Sequence, residues 1–309
     1  MSAACLVCGG PTSPLLDDVR DNRFGSPGTW SIRRCAACDT AQTDPLPTQG
    51  ELIALYEAHY NYGGEAGTAY TGWRERLFAS PLYRWFLRID GDVSFHSQRG
   101  VGRLLDIGCN EGRGLSLYAR GGFTVEGLEL NANAAAAARR RGFTVHEVDI
   151  ADFRPAAPFD RAVLSNVLEH ALDPRAMLKH VHRILKPSGE VWISLPNRDS
   201  WLRRWFGRSW INWHVPFHIT HFSAPALRQL LSQHGFEVVS ERQVTPALWV
   251  AQSALAWRFD RSPRLAKLTR NPLAVVALMG AARGLLFPLW WLAHRLGHGD
   301  CLVIKARRR

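Results

Sequence analysis

Short apolar runs alternate with helix-forming stretches across the second half of the chain. The apolar runs are partly β-branched, and they are "RLLDIG" (103–108), "TVEGLEL" (124–130), "TVHEVD" (144–149), "RAVLSN" (161–166) and "EVWISLP" (190–196). Helical segments over 113–120, 132–141 and 174–185 separate them. Because such alternation is typical of βαβ units, the pattern predicts an α/β fold with a parallel sheet.

Two further strands are predicted near the end of the chain, over 236–243 and 301–308, as an antiparallel pair. The connection between them, 244–300, is long and apolar, and from Pro272 to Ala293 its only charge is Arg283. Such a run is long enough to span a bilayer, but the chain must return to the same sheet. We therefore predict an apolar helical hairpin lying in a membrane interface, with internal packing, a dimer contact and true membrane insertion as alternatives.

Flanking residues support an interfacial location for this hairpin. Trp290 and Trp291 are expected at headgroup level, because aromatic rings favour that layer. Basic residues are expected near lipid phosphates, namely Arg261, Arg264, Lys267 and Arg270. The stretch "WLRRWFGRSW" (201–210) is predicted to be a second interfacial element or a lid.

The first third of the chain shows a different organisation. Leu52, Leu55 and Tyr56 indicate a short helix, and 73–90 looks helical, with Pro81 as a break or a first-turn residue. We divide the chain into a metal-binding module (1–50), a helical linker or cap (51–100) and an α/β domain (101–309) that carries the apolar insertion 244–300.

Four of the six cysteines form two C-x₂-C pairs, Cys5 with Cys8 and Cys35 with Cys38. Two such pairs supply four thiolates, which is the donor set of a structural tetrahedral Zn²⁺. Redox dithiols are the alternative. The sequence thus predicts an N-terminal zinc ribbon that the metal largely folds.

The composition and net charge of the chain limit the classes of molecule that it is expected to bind. The chain has 309 residues, is 46% hydrophobic, carries 12 Trp and has a formal net charge of +11. This excludes a disordered chain and suits an anionic partner such as nucleic acid, a membrane surface or a phosphorylated substrate. No signal peptide is evident in residues 1–30, so we expect a cytoplasmic protein, peripheral on the inner face of the membrane if the hairpin binds lipid.

A glycine-rich turn follows the first strand of the α/β region, with Asp106, Gly108 and Gly112 in "LLDIGCNEG". Such a turn between strand and helix lets a ligand approach the backbone closely. Glu129 ends the next strand, where a ribose diol would be bound, and Asp149 ends the third, within reach of an adenine amine. Asp152 is an alternative to Asp149.

These motifs together resemble those of the class I S-adenosylmethionine-dependent methyltransferases, over roughly 85–245 and 300–307. "NVLEH" (166–170) is similar to the subgroup that includes ubiquinone-pathway O-methyltransferases, and "LKPSGEVWISLPN" (185–197) to the family's fifth strand. The resemblance implies a seven-stranded, doubly wound, Rossmann-like sheet with S-adenosylmethionine as cofactor. The implied cofactor contacts are Asp106, Gly108, Cys109, Gly112, Glu129, Leu130, Asp149, Ile150 and Asn166.

Histidines are the candidate catalytic residues, because methyl transfer often requires a proton to be removed from the acceptor. We select His170, in "NVLEH", and His218 and His221, in "WHVPFHITHFS". The alternatives are hydrogen bonding of His170 to the backbone or to Glu169, structural hydrogen bonding by His218 or His221, or a second metal bound by the histidines.

The zinc-bearing front end resembles that of methyltransferases from sugar and polysaccharide gene sets. We therefore expect methyl transfer to an oxygen or carbon of a glycan, glycolipid or prenyl-type lipid intermediate. The alternatives are a zinc-fronted RNA methyltransferase, favoured only by the charge, and a non-catalytic scaffold that binds the cofactor. The sequence predicts no particular oligomeric state.

Overall fold

The structure is a computed structural model and describes residues 4–59, 76, 80–259 and 272–309. Its strands are β1 (Thr12–Val19), β2 (Trp30–Cys35), β3 (Ala41–Asp44), β4 (Arg103–Ile107), β5 (Thr124–Leu128), β6 (Thr144–His146), β7 (Phe159–Ser165), β8 (Leu185–Pro196), β9 (Thr220–His221), β10 (Phe236–Val244) and β11 (Cys301–Arg308). Its α-helices are α1 (Gln49–His59), α2 (Pro81–Asp90), α3 (Arg113–Arg120), α4 (Ala132–Arg140), α5 (Pro174–Ile184), α6 (Trp201–Phe206), α7 (Ala224–Gln233), α8 (Ala247–Phe259) and α9 (Pro272–Arg295).

A seven-stranded mixed sheet forms the centre of the molecule, with strand order β10-β11-β8-β7-β4-β5-β6. The strands β4 to β8 pair in parallel, whereas β11 is antiparallel to both β8 and β10. The predicted α/β fold, its parallel strands and its antiparallel final pair are thereby confirmed.

Side chains alternate between two cores on the two faces of this sheet, as the period of a strand requires. Leu105 lies in the core that contains α5 and α7, whereas its neighbour Leu104 lies in the core that contains Tyr118 of α3 and Trp249 of α8. Helices therefore cover both faces of the sheet, which matches the predicted doubly wound arrangement.

Several helices begin directly after a polar residue whose side chain caps them. The side chain of Asn131 accepts the N–H of Ala134 at the start of α4. Asp173 accepts the N–H groups of Arg175 and Ala176 at the start of α5, and Ser223 caps α7. Each cap satisfies N–H groups that a helix leaves unpaired at its first turn, which explains why these boundaries could be predicted.

The N-terminal module forms a second, four-stranded sheet of order β1-β2-β3-β9. Its first three strands belong to the predicted ribbon, but β9 comes from residues 220–221 of the α/β region and pairs with β3. The sheet therefore extends beyond 1–50. Its apolar core is shared in the same way, because Ile32 and Ala41 pack with Trp210 and Trp213.

Helices α8 and α9 lie between β10 and β11 and pack against each other, through Leu255 and Val275 among other contacts. Within the described ranges one stretch, Val275–Arg295, is long and apolar enough to cross a membrane by length and composition; its mean hydropathy is 1.6. The basic residues predicted to flank the hairpin, within 261–270, lie outside the described residues.

The two adjacent tryptophans of α9 have different environments. Trp290 is 3% exposed and packs with Ala247, Val250 and Ala282, whereas Trp291 is 50% exposed. The prediction that both rings reach a headgroup layer is therefore wrong for Trp290, because this face of α9 is packed against α8. The charge near the middle of the helix is also partnered, since Arg283 forms an ion pair with Asp90 of α2.

Candidate active site

The carboxyl ends of β4, β5 and β7 lie side by side, and we call the region in front of them, bordered by the loop after β4, the crevice. Gly108 and Gly112 have φ angles of 70° and 74°, in the region that favours glycine. A Cβ atom at Gly112 would lie 2.8 Å from the Cβ of Ala138 in α4, so the loop packs too closely there for any side chain. The N–H groups of Gly108 and Cys109 both donate to the carbonyl of Leu128, which ties the loop to the end of β5.

Two carboxylates line this crevice. Glu129 accepts the N–H of Asn110 at 2.9 Å and that of Asn131 at 2.8 Å, so it joins the loops after β4 and β5. Asp106 is buried at the end of β4. Burial, and to a lesser extent the negative charge of Glu129, raise the pKa of Asp106 to about 8.

The remaining predicted cofactor residues have differing exposures. Leu130 is 67% exposed and Asp149 is exposed, with its Oδ1 accepting the N–H of Ala151 at 2.8 Å. Cys109 and Ile150 turn their side chains into the core. Asn166 has a φ of 54° and donates its N–H to the carbonyl of Ser194. The strand ends thus bring the predicted residues to one edge of the sheet.

Histidine and other aromatic rings pack together directly after β7, and we call this region the chamber. Its centre is the histidine cluster, which we define as His170, His214 and His218, with ring centroids of His170 and His218 4.6 Å apart. Four aromatic side chains from three segments of the chain contact the cluster or one another, namely Phe24, Tyr56, His59 and Phe217. The N-terminal module and α1 therefore help to enclose the chamber.

Hydrogen bonds fix two rings of the cluster. The Nδ1 of His170 lies 2.9 Å from the carbonyl oxygen of Phe217 and 2.7 Å from the hydroxyl of Tyr56. The Nδ1 of His218 lies 2.8 Å from the carbonyl oxygen of Asn212. Burial lowers the pKa of His170 to about 4 and lowers the pKa of His218 well below its usual value, so both imidazoles are neutral near pH 7.

Sequence reasoning missed one residue of this chamber, Glu169. Its side chain is 1% exposed, and neither carboxylate oxygen has a hydrogen-bond partner in the part of the chain that the structure describes. Burial raises the pKa of Glu169 to about 8. The sequence offered one signal, namely an acidic residue between Leu168 and the candidate His170, just after a predicted strand. Carboxylates are rarely buried without a functional reason, so the burial of Glu169 marks it as a functional residue.

His221, the third predicted catalytic residue, lies on β9 beside the N-terminal module. Its Nε2 is 3.1 Å from the hydroxyl of Thr43, and its ring packs edge-on against Trp213. Burial lowers the pKa of His221 to about 3. These contacts lie within the four-stranded sheet and its apolar core, and the catalytic role of His221 stays a prediction.

The four predicted cysteine ligands come together at the far end of the N-terminal sheet. Their sulfur atoms all lie within 4.8 Å of one another, with Cys5 and Cys38 3.5 Å apart and Cys8 and Cys35 3.4 Å apart. A Cβ atom at Gly10 would lie 3.3 Å from the sulfur of Cys8, so the adjacent turn packs closely on the cluster. This donor set fits a tetrahedral zinc ion.

Two contacts connect this cysteine cluster to the chamber. Asp39, next to Cys38, forms a 2.7 Å ion pair with the buried Arg198 of the α/β domain. The hydroxyl of Thr43 donates to the carbonyl of His218 at 2.6 Å. The N-terminal module therefore supports the histidine cluster directly.

The chain is similar in sequence to known methyltransferases. A family described as "Methyltransferase domain" matches residues 73–241. The chain is 32% identical over 136 residues to a ubiquinone biosynthesis O-methyltransferase of Sodalis glossinidius, which covers 40% of this chain and 55% of that protein. It is also 32% identical over 159 residues to a probable S-adenosylmethionine-dependent methyltransferase of Mycolicibacterium smegmatis, covering 50% and 60% respectively. The chain thus spans less than two thirds of the length of these relatives.

Solved structures share the fold at low sequence identity. The cyclopropane synthase MmaA2 from Mycobacterium tuberculosis superposes with a TM-score of 0.50 and 17% identity, covering 86% of this chain and 100% of that one. The family match extends over more than half of the 309 residues and includes the glycine loop, Glu129 and the histidine-bearing turn after β7. The chain therefore belongs to the methyltransferase domain family and has the class I, S-adenosylmethionine-dependent methyltransferase fold.

Proposed function

We propose that the chain transfers a methyl group from S-adenosylmethionine to a hydroxyl oxygen of a glycolipid, glycan or prenyl-type lipid acceptor at a membrane surface. The observation that carries this proposal is the position of the chamber. Asn166 on the crevice and Glu169 in the chamber are separated by only two residues, so a reacting hydroxyl in the chamber would lie beside the cofactor. The similarity to ubiquinone O-methyltransferases supports oxygen as the accepting atom.

The crevice residues fit the cofactor by their chemistry. Glu129 would bind the ribose hydroxyls, and Asp149 the adenine amine, with the exposed Leu130 side chain and the backbone at Ile150 beside the adenine ring. The loop through Gly108, Cys109 and Gly112 would face the cofactor with its backbone, and Asp106 and Asn166 would close the adjoining side. When bound, S-adenosylmethionine supplies a methyl group on a positively charged sulfur that leaves as a neutral thioether.

The chamber residues would hold and deprotonate the acceptor. Neutral His170 and His218 can each accept a hydrogen bond from a hydroxyl through the nitrogen that does not face a carbonyl. Burial raises the pKa of Glu169 to about 8, close to neutrality, so its ionised form would take up the proton that the hydroxyl loses. Enclosure by aromatic rings excludes water, which strengthens these interactions.

A Glu129→Ala variant is expected to bind the cofactor about 10- to 150-fold more weakly, a loss of about 1.5–3 kcal/mol, because a charge-assisted hydrogen bond to the ribose disappears. Calorimetric titration with S-adenosylhomocysteine measures this. Glu126→Ala is the matched control, since Glu126 lies on β5, three residues before Glu129, but pairs with Arg103 and His146. An affinity within twofold of wild type would remove Glu129 from the cofactor site.

The four cysteines are proposed to hold one structural Zn²⁺. All four ligands come from the protein, so the ion would have no open position for a substrate. Its function would be to fix β3, which supports His218 through Thr43 and therefore shapes the chamber.

The membrane proposal rests on the outer face of α9. Large apolar side chains are exposed along it, namely Val276, Leu285, Phe287, Leu289, Trp291, Leu292 and Leu296. The guanidinium of Arg295 lies 4.3 Å from the ring centre of Trp291, and Arg204 and Arg208 near α6 are exposed. Because Arg283 is tied to Asp90 and Trp290 to α8, the inner face is occupied and the helix would lie in the interface rather than span the bilayer.

Vesicles containing anionic lipid are expected to bind the protein, and salt should weaken this binding. Trp291→Ala should weaken binding about fivefold, through about 1 kcal/mol of lost apolar burial, and leave the melting temperature nearly unchanged. Trp290→Ala is the matched control: it should cost about 3–5 kcal/mol of stability, because its ring is buried. Flotation and thermal melts of both variants measure this. Absence of flotation for the wild type would exclude the membrane proposal.

Incubating the protein with cofactor labelled in its methyl group, together with lipid, glycan and RNA fractions, tests the activity itself. Label is expected in the lipid or glycan fraction, as a methyl ether that resists mild base. Label in RNA would instead support the RNA methyltransferase alternative. Cofactor binding without transfer to any fraction would favour a non-catalytic role.

A further inference from the structure

We propose that Glu169, His170 and His218 bind one divalent metal ion of the first transition row. Each of these residues offers one ligand atom, and the three atoms all lie within 4.8 Å of one another. Two imidazole nitrogens and one carboxylate oxygen form a donor set that transition metals use, with further positions left open. This site is separate from the four cysteines, with which it shares no residue.

The buried carboxylate points to a cation. Both oxygens of Glu169 are buried and lack a hydrogen-bond partner within the described ranges, and the side chain is 1% exposed. Such a group normally costs several kcal/mol unless it is paired or coordinates a metal. An ion held between Glu169 and the two rings would compensate for this charge.

The orientation of both histidine rings also fits metal ligation. A carbonyl oxygen can only accept a hydrogen bond, so we assign the hydrogens of both rings to the Nδ1 atoms that face Phe217 and Asn212. The lone pair of each ring is then on Nε2. A histidine that donates one N–H to a carbonyl and presents the other nitrogen is the usual arrangement of a metal ligand.

Contacts behind the ligands hold them in place. Asn212 donates from its side chain to the buried Asp300 at 3.1 Å, which positions the carbonyl that orients His218. The N–H of Ile219 donates to the carbonyl of Glu169 at 2.8 Å and joins the two ligand segments. These connections preorganise the three side chains without help from an ion.

Nearby charge limits the affinity of this site. Burial is the main cause of the pKa shifts of Glu169 and His170, and the positive charge of Arg23 is close enough to act on both in the lowering direction. Arg23 would repel a cation, and it would favour an anionic oxygen as the next ligand. With the ion bound, Glu169 and the two imidazoles would act as its ligands rather than as bases. The ion would then bind the acceptor oxygen while the hydroxyl proton passes to water, which deepens the proposed function and rests on it for the acceptor's position.

Equilibrium dialysis of the zinc-loaded full-length chain against Co²⁺, with elemental analysis of both metals, tests the site without cofactor or acceptor. Cobalt cannot displace zinc readily from thiolates, so one cobalt per chain is expected with the zinc retained. Glu169→Gln and His218→Gln should each weaken cobalt binding at least about 100-fold, since losing a ligand should cost no less than losing a partner behind it.

Two further variants sharpen the test. His214→Gln changes a buried histidine of the same cluster that is outside the ligand set, and it should bind cobalt as the wild type does. Arg23→Gln should bind cobalt several-fold more tightly, because a repulsive charge is removed. Circular dichroism of each variant must match the wild type. No cobalt beyond the zinc in the folded wild type, or equal binding by Glu169→Gln, would overturn the site and leave the methyl-transfer proposal to its own assay.

Discussion

A Cys35→Ser variant is expected to lose its zinc and to expose residues 4–44 to proteolysis. Structural zinc contributes about 10–16 kcal/mol of apparent binding free energy in small zinc domains, and losing one of four thiolates removes much of it. The N-terminal sheet has only a small apolar core of its own, around Val19 and Ile32. Without the ion, the turns carrying the cysteines lose the contacts that order them.

The loss should extend to the chamber, because Thr43 and β9 connect the cysteine cluster to His218. Methyl transfer is therefore expected to fall with zinc content, even though the crevice residues lie elsewhere. Elemental analysis, limited trypsin digestion and the transfer assay measure the three effects. Cys301→Ser is the control, since Cys301 is buried in β11 outside the cluster. Full zinc content in freshly prepared Cys35→Ser protein would contradict this interpretation.

Those parts of the fold whose causes are local could be predicted from the sequence. The strand and helix bounds follow apolar periodicity and polar caps such as Asp173 and Ser223, which act within a few residues. The glycine loop is predictable for the same reason, since Gly108 and Gly112 adopt positive φ angles that glycine tolerates better than any residue with a Cβ atom. Glu129 follows from its spacing after that loop.

Contacts between distant segments could not be predicted in this way. The pairing of β3 with β9 joins residues far apart in the sequence, and β9 is only two residues long, too short for a periodic signal. The burial of Glu169 could not be predicted for the same reason, because it depends on distant segments of the chain, namely Ile219, Phe217 and the N-terminal module, packing near it. The local sequence pattern does not indicate which distant segments will pack against a residue.

The packing of helix α9 could not be predicted from the sequence either. It is apolar on almost every side, so no polar stripe indicates which face is packed. Trp290 and Trp291 are adjacent in sequence but about 100° apart around a helix, and only the position of α8 decides which ring is buried. The sequence therefore identified the helix as apolar without distinguishing its two faces.

The ion pair between Asp39 and Arg198 is expected to be the strongest polar link between the N-terminal module and the α/β domain. Asp39→Asn should cost about 3 kcal/mol of stability, because it leaves the guanidinium of Arg198, which is 3% exposed, with Asp199 as its remaining carboxylate partner. Asparagine preserves the shape of the side chain and tolerates the φ of 56° at this position. The cost would therefore come from the missing charge rather than from backbone strain.

Replacing Arg198 should destabilise the protein less, since Asp39 is one-third exposed and keeps Arg34 as an ion-pair partner. Arg198→Met fills much of the same volume with apolar atoms, so we expect a loss of only about 1–2 kcal/mol. The double variant should then be more stable than Asp39→Asn alone, because no buried guanidinium remains to be neutralised. Urea unfolding of the wild type and three variants completes this cycle. Additive losses in the double variant would show that the two residues act independently, and the N-terminal module would then be held by its apolar contacts with Trp210 and Trp213.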